Sequence, residues 1–200
     1  MRNTLIIILS LLFVATYTFA DNTNRWAGGA TNNASFGTVA WTTPTNAVGI
    51  TNLTYATATG LDNTSSQYLY VTNYGFAVPT SATINGVVVS PTRKCSNAVN
   101  LSRDTNVFLV VNSVIGTANR ATATQYTTSD VTEDHGGTND TWGFTLTPAD
   151  INSPQFGTVF SSYKIAAGVG VNITVDAIKI TVYYTLAGAR KRKAIGQTVY

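Results

Sequence analysis

The sequence predicts an all-β fold, a two-sheet antiparallel β-sandwich of jelly-roll-like type, and three observations carry that prediction. The first is composition. Thr occurs 34 times and Asn 18 times, whereas Glu133 is the only glutamate; the branched Thr Cβ suits a pleated surface and Asn suits turns. The second is period: apolar residues recur at every second position in several segments, and no long segment carries a helical repeat. The third is punctuation, because turn residues separate those segments at roughly the 8–12 residue spacing of sandwiches and barrels.

In chain order, residues 1–20 read as a secretory signal peptide. Arg2 supplies the positive start, residues 5–15 are nearly all apolar, and Thr18-Phe19-Ala20 ends in a small residue at the cleavage position. Ser10 and Thr16 interrupt the apolar run and the polar Asp21-Asn22-Thr23-Asn24 follows it, which favours a cleaved leader over a membrane anchor. The expected location is therefore secreted, extracellular or surface-associated, with the membrane involved only through the leader. A single domain is expected over 21–187. Within it, 36–41 reads as a short strand, 68–73 alternates as a half-buried strand, and 83–90 follows. Residues 106–114 are almost continuously apolar, as a strand covered on both faces is. Strands over 121–127, 142–146 and 157–164 come next. The alternation is cleanest over 171–175 and 178–184, and the phase shift at Asp176-Ala177 between them predicts a bulge. After Thr185 the pattern stops, and 188–200 reads as a basic C-terminal tail.

The formal charge of +3 is unevenly placed. Arg190, Lys191, Arg192 and Lys193 form one run, Arg2 lies in the leader, and residues 21–189 sum to −2. No basic face of the kind that binds nucleic acid is present, so no nucleic-acid partner is expected. Cys95 is the single cysteine. It excludes an intrachain disulfide framework and leaves two readings, a small buried residue or an intermolecular disulfide.

The stretch 136–157, GGTNDTWGFTLTPADINSPQFG, concentrates the chemistry-bearing residues next to the only histidine. Thr147, Pro148 and Asp150 have the spacing of a capped helix start, and Pro154 limits that helix to one or two turns near 148–153. Trp142 reads as a core anchor. Glu133, Asp134, His135 and Asp140 remain. Two carboxylates several ångström apart suit a glycoside hydrolase, but no nucleophile motif accompanies His135. The expectation is no enzyme, no catalytic residue and no cofactor, with Asp134, Asn139 and Asp140 as the candidate ligands of a structural Ca²⁺. Exposed aromatic rings stack on sugars, so Trp26, Trp41, Tyr74 and Tyr126 are the candidate glycan-binding residues, with Tyr55 beside them. Asn33, Asn52, Asn63, Asn100, Asn139 and Asn172 head six N-glycosylation sequons.

A longer pattern runs through the chain. It begins with Trp41-x-x-Pro44-x-Asn46-Ala47, Tyr55-Ala56 and Ser66-x-x-Leu69. It continues with Phe76-Ala77-Val78-Pro79-x-x-Ala82-Thr83-Ile84-x-Gly86-Val87-x-Val89 and Gly136-Gly137-x-x-Asp140-x-Trp142-Gly143. Thr147-Pro148-Ala149-Asp150-Ile151-Asn152, Phe156-Gly157 and Val175-Asp176-x-Ile178-x-Ile180-x-Val182-Tyr183-Tyr184 close it. The pattern resembles a family of uncharacterised β-sandwich proteins found among tailed-phage virion components and bacterial secreted or surface proteins. The resemblance implies a structural or adhesive module on a particle or cell surface, and no catalytic residues. The leader and the basic tail lie outside that pattern. The expected function is a secreted, non-enzymatic protein that self-associates or joins other surface or virion proteins. A carbohydrate-binding module is the alternative and a glycoside hydrolase-like enzyme the lesser one.

Overall fold

The computed structural model describes residues 18–98, 102–165 and 167–187. Residues 1–17 of the 1–20 leader, the sequon at Asn100 and the basic run lie outside the described residues, while the leader's last three residues, 18–20, lie in the first strand. The strands are β1 (Thr18–Trp26), β2 (Gly29–Asn33), β3 (Trp41–Thr42), β4 (Ala56–Leu61), β5 (Tyr68–Thr72) and β6 (Ala82–Cys95), followed by β7 (Ser102–Val111), β8 (Val114–Ile115), β9 (Val131–Thr132), β10 (His135–Gly136), β11 (Gly157–Lys164) and β12 (Val171–Ala187). A 3-10 turn (Pro44–Ala47) and the short helix α1 (Pro148–Asn152) complete the elements. They form two antiparallel sheets, as the sequence predicts. The first runs β10-β6-β12-β4-β3, with β1 added beside β12 and β9 beside β6; the second runs β2-β5-β11-β7-β8.

The spine of the first sheet is the long pair β6 and β12. Val87, Val89, Ile178, Ile180 and Val182 alternate into the core and are fully buried. The predicted bulge lies where it is expected, as a register shift between Val175 and Ala177. The shift turns Asp176 out of the apolar series, and its buried carboxylate accepts the backbone N–H groups of Asn52 (3.0 Å) and Leu53 (3.2 Å). One irregularity in β12 thus anchors the loop that leads into β4. The predicted helix is also present. Thr147 and Asp150 form the reciprocal capping box and Pro148 occupies the first turn.

Several predicted strands differ. β6 does not stop at Ser90 but continues through Pro91, whose carbonyl accepts the Glu133 N–H at 3.3 Å. Residues 142–146 are not a strand: Trp142 has φ 57° and Phe144 N–H closes a turn on the Thr141 carbonyl. The left-handed backbone at Trp142 turns its indole inward, where Nε1 donates to the Val87 carbonyl at 2.9 Å. Gly136, at φ 87°, is needed beneath that ring, because a Cβ there would meet both the Val87 carbonyl and the indole. Residues 121–127 lie along β7 without forming a regular ladder. The Asn119 amide takes the place of ladder groups, accepting from Val107 N–H and donating to the Thr105 carbonyl. Residues 36–40 form a loop instead of a strand, held beside the segment leading into β5 by an isolated bridge, Val39 to Ser66, and by the Phe36 ring on Tyr68.

Two apolar clusters result. The main core lies between the sheets and includes Leu61, Leu69, Val71, Phe156, Phe160 and Ile173. A second cluster forms on the other side of the second sheet. In β5, Leu69 and Val71 join the main core while Tyr68 joins the second cluster and Tyr70 packs against it. In β7, Val107 and Leu109 face the core while Phe108 and Val110 face outward. Val159 lies between them, opposite both Tyr70 and Phe108.

Candidate functional site

After β8 the chain passes along β7, an outer region of the second sheet, and reaches β6 of the first sheet as β9 and β10. This crossing segment closes one side of the sandwich. Beneath it lies the main concentration of charge in the interior. Arg93 of β6 is 3% exposed and holds Asp104 of β7 with two hydrogen bonds, Nε to Oδ1 at 2.9 Å and the second at 3.0 Å. The same guanidinium contacts Glu133, and it stacks over the Tyr126 ring at 4.4 Å. Tyr126 donates its hydroxyl proton to Asp104 and shares a 2.7 Å hydrogen bond with Ser162 of β11. Glu133 accepts from Thr122 (2.7 Å) and Thr124 (2.8 Å). His135 donates from Nδ1 to the Arg120 carbonyl at 2.9 Å, and its Nε2 lies 3.3 Å from Asp104 without forming a hydrogen bond.

The electrostatics follow from burial opposed by contact. Burial alone would lower the Arg93 guanidinium, but Tyr126, Asp104 and Glu133 outweigh it and hold the charge. Partial burial pushes Glu133 upward, yet the two threonine hydroxyls and Arg93 leave it below the ordinary carboxylate range. Burial, reinforced by the charge on Asp104, raises the Tyr126 phenol far above its usual value. Arg93 and Glu133 are thus held in their charged forms, each by several partners.

Ligand atoms of Asp104, Glu133 and His135 lie within 4.8 Å of one another, close enough to hold a cation. Arg93 bridges the two carboxylates and already supplies the positive charge that a metal would bring. A recess of about 290 Å³ borders the cluster, lined by Arg103, Asp104, Thr105, Asn119, Thr122 and Tyr163. The Thr105 hydroxyl is buried there without a hydrogen-bond partner.

The residues singled out from the sequence are placed differently. Trp41, Tyr74 and Tyr126 are core residues, each under 5% exposed, so their faces are closed to a sugar. Their rings fill the space between the sheets, and Trp41 also donates Nε1 to the Gln67 carbonyl. Trp26 stays half-buried with Lys179 over its ring, and Tyr55 is covered by Lys94 in the same way. The three candidate Ca²⁺ ligands have separate engagements. Asp140 is clamped by Arg120 at 2.6 and 2.9 Å, Asp134 accepts from Ser90 at 2.6 Å, and Asn139 is exposed. Cys95 is 2% exposed, and burial raises its thiol. A disulfide to another molecule would require it to leave the core. Among the sequons, Asn52, Asn63 and Asn139 are exposed, and Asn33 is half-buried in a turn with Ser35. Asn172 is half-buried in β12, where it accepts from Gly60 N–H.

Sequence reasoning missed Arg93 and Asp104. The available signal was parity, since Arg93 continues the inward series that contains Val87 and Val89. Together, fold and cluster define a class: an antiparallel β-sandwich whose two sheets and crossing segment are tied by a buried ion network. No family model, no curated protein and no solved structure matches the chain.

Proposed function

We propose that the protein is an exported, non-enzymatic structural or adhesive module that assembles into, or decorates, a virion or cell-surface structure. The observation that carries this reading is the aromatic outer face of the second sheet. Val110 and Val159 are fully buried on that face, beneath Tyr68, Tyr70, Phe108, Phe36 and Ile115. Phe36 stacks on Tyr68 at 5.1 Å, and Tyr68 meets Phe108 edge-on at 6.4 Å. Tyr70, Phe108, Phe36 and Ile115 remain only half-buried, so a partner laid across the sheet would remove further apolar surface from water at about 25 cal/mol per Å². The interior carboxylates support the non-enzymatic part of the reading. A general acid needs a raised pKa, whereas Glu133 is held low.

Light scattering on residues 21–200 over a dilution series tests the proposal, with Phe108→Ser as the variant. The expected outcome is an assembly whose mass falls when Phe108 is replaced. A mass unaffected by the substitution at every concentration would refute the aromatic face as the assembling surface. The recess beside Tyr163 favours a second reading, a glycan subsite, because of its unpartnered Thr105 hydroxyl. Binding on a glycan array that disappears with Arg103→Ala would put that reading first.

A further inference from the structure

The N-terminal strand has one open edge. β1 pairs with β12 from Trp26 opposite Lys179 to Thr18 opposite Ala187, and among the described residues no other strand pairs with it. An unpaired edge is a template for another strand, and with the leader removed this one spans residues 21–26. Its centre reads Asp21-Asn22-Thr23-Asn24-Arg25, exposed except at the half-buried Thr23, with the strand's only two charged side chains, of opposite sign, at the ends. Neither charge has an ion-pair partner among the described residues. Asp21 accepts from Asn22 N–H and the Tyr184 hydroxyl, and Arg25 donates to the Gly75 and Asn24 carbonyls.

Two copies that join such edges antiparallel do so about a two-fold axis. Because hydrogen-bonded and non-hydrogen-bonded positions alternate, one residue must then stand opposite itself. Centring on Asn22 sets Asp21 against Thr23, and centring on Asn24 sets Arg25 against Thr23. Centring on Thr23 sets Asp21 against Arg25 of the second copy, twice, and Asn22 against Asn24. Of these three neighbouring registers, only the Thr23-centred one pairs both charges.

We propose that the open edge of β1 is a self-association surface. Two copies of this chain pair β1 to β1 with Thr23 opposite Thr23, extending the first sheet across both molecules. The inference rests on the assembly reading above but uses a different surface. The paired residues all follow Ala20, so removal of the leader leaves the register intact. Charges on an edge strand also serve to repel other edges, and the two roles predict opposite results. A repelling role has association rise when the charges are lost. The proposed register has it abolished by Asp21→Arg and restored by Asp21→Arg combined with Arg25→Asp.

The experiment uses residues 21–200 carrying Thr23→Cys, Asn22→Cys or Asn24→Cys, mildly oxidised and run on a non-reducing gel. Directly opposed Cβ atoms approach to about 4.5–5.5 Å, near disulfide range, and diagonal ones do not. Thr23→Cys is expected to link most of the chain as dimer, and its two neighbours only a minor fraction. Equal linking at all three positions, or a dimer mass by light scattering that survives Asp21→Arg, would overturn the proposal. The two surfaces are separable. Thr23 linking together with a mass insensitive to Phe108→Ser upholds the edge and removes the aromatic face. A mass lowered by Phe108→Ser, without preferential linking at Thr23, upholds the face and removes the edge.

Discussion

The space beneath the crossing segment and the outer face of the second sheet reverse the usual distribution of side chains. The interior space holds an arginine, two carboxylates, an imidazole and a phenol, while the outer face holds stacked rings over two fully buried valines. Charged groups are almost never fully buried unless paired, and contiguous apolar patches on a surface mark contacts. Each kind of interaction stands where its geometry is useful. Between the sheets, Arg93 links β6, β7 and the crossing segment through directional bonds, so it fixes how three parts of the chain meet. On the outer face no direction needs fixing, and non-directional burial suffices.

The strongest way to break this contrast is Arg93→Met. It keeps the apolar stem and removes the charge, leaving Asp104 and Glu133 facing one another in a site where Asp104 has no exposure. Stranding buried charges in this way costs about 3–5 kcal/mol. Urea denaturation should show a much lower midpoint with little change in slope. A midpoint within experimental scatter of the parent would mean that the network contributes nothing net, and the interior would then be no more than tolerant of charge.

Val159→Ala examines the other side. Val159 is fully buried although it faces away from the main core. Loss of two methyl groups there should cost about 2 kcal/mol, from transfer and the cavity left behind. A surface valine would cost a few tenths. A small effect by denaturation would show that the rings over Val159 do not pack in solution, and the contrast between the two regions would weaken from its outer side.

Legibility divides along the same line. The bulge at Asp176 was readable because a phase slip in an alternating strand is local, and so was the Thr147–Asp150 capping box. The apolar run at 106–114 announced a strand with apolar residues on both faces, which Phe108 and Val110 supply on the outer one. It did not announce that the strand ends at Val111, where Asn112 and Ser113 turn the chain into β8, or that the outer face stays half-exposed. Tyr68 and Tyr70, in a segment read as a half-buried strand, carried the same message less plainly. The ion network was not readable as a unit. Arg93 and Asp104 stand on strands of different sheets, and nothing local says that they meet. Trp41, Tyr74 and Tyr126 were misplaced for a related reason: sequence shows that a ring is present but not which side of a sheet it faces. Trp142 was correctly taken as an anchor. Its left-handed backbone, which removes the expected strand, follows from the turn at Thr141–Phe144 rather than from any propensity of tryptophan.

The smallest of the expected effects concerns acid, and it distinguishes the two regions without disturbing packing. Glu133 is depressed below its ordinary value of 4.5 in the folded state. Such a group contributes stability that is fully present above its unfolded value and is lost as pH falls through its folded value. Asp140, held down first by its hydrogen bonds from Arg120, and Asp150, held down first by Thr147, act in the same direction. Stability should therefore be level near neutrality and decline as pH falls below the ordinary carboxylate values of 4.5 and 3.8 and on through the lower folded ones. Glu133→Gln keeps the side-chain shape and an acceptor for Thr122 and Thr124 but removes the charge facing Arg93. The variant should be less stable than the parent near neutrality and should converge toward it in acid, as the parent's own Glu133 becomes protonated. Val159→Ala should show no such convergence, because the outer cluster holds no carboxylate, and its deficit should be the same at both ends of the titration. If the two variants trace parallel curves, the acid sensitivity lies with Asp140 and Asp150 at the corner, and Glu133 is an onlooker to the charge that ties the sheets.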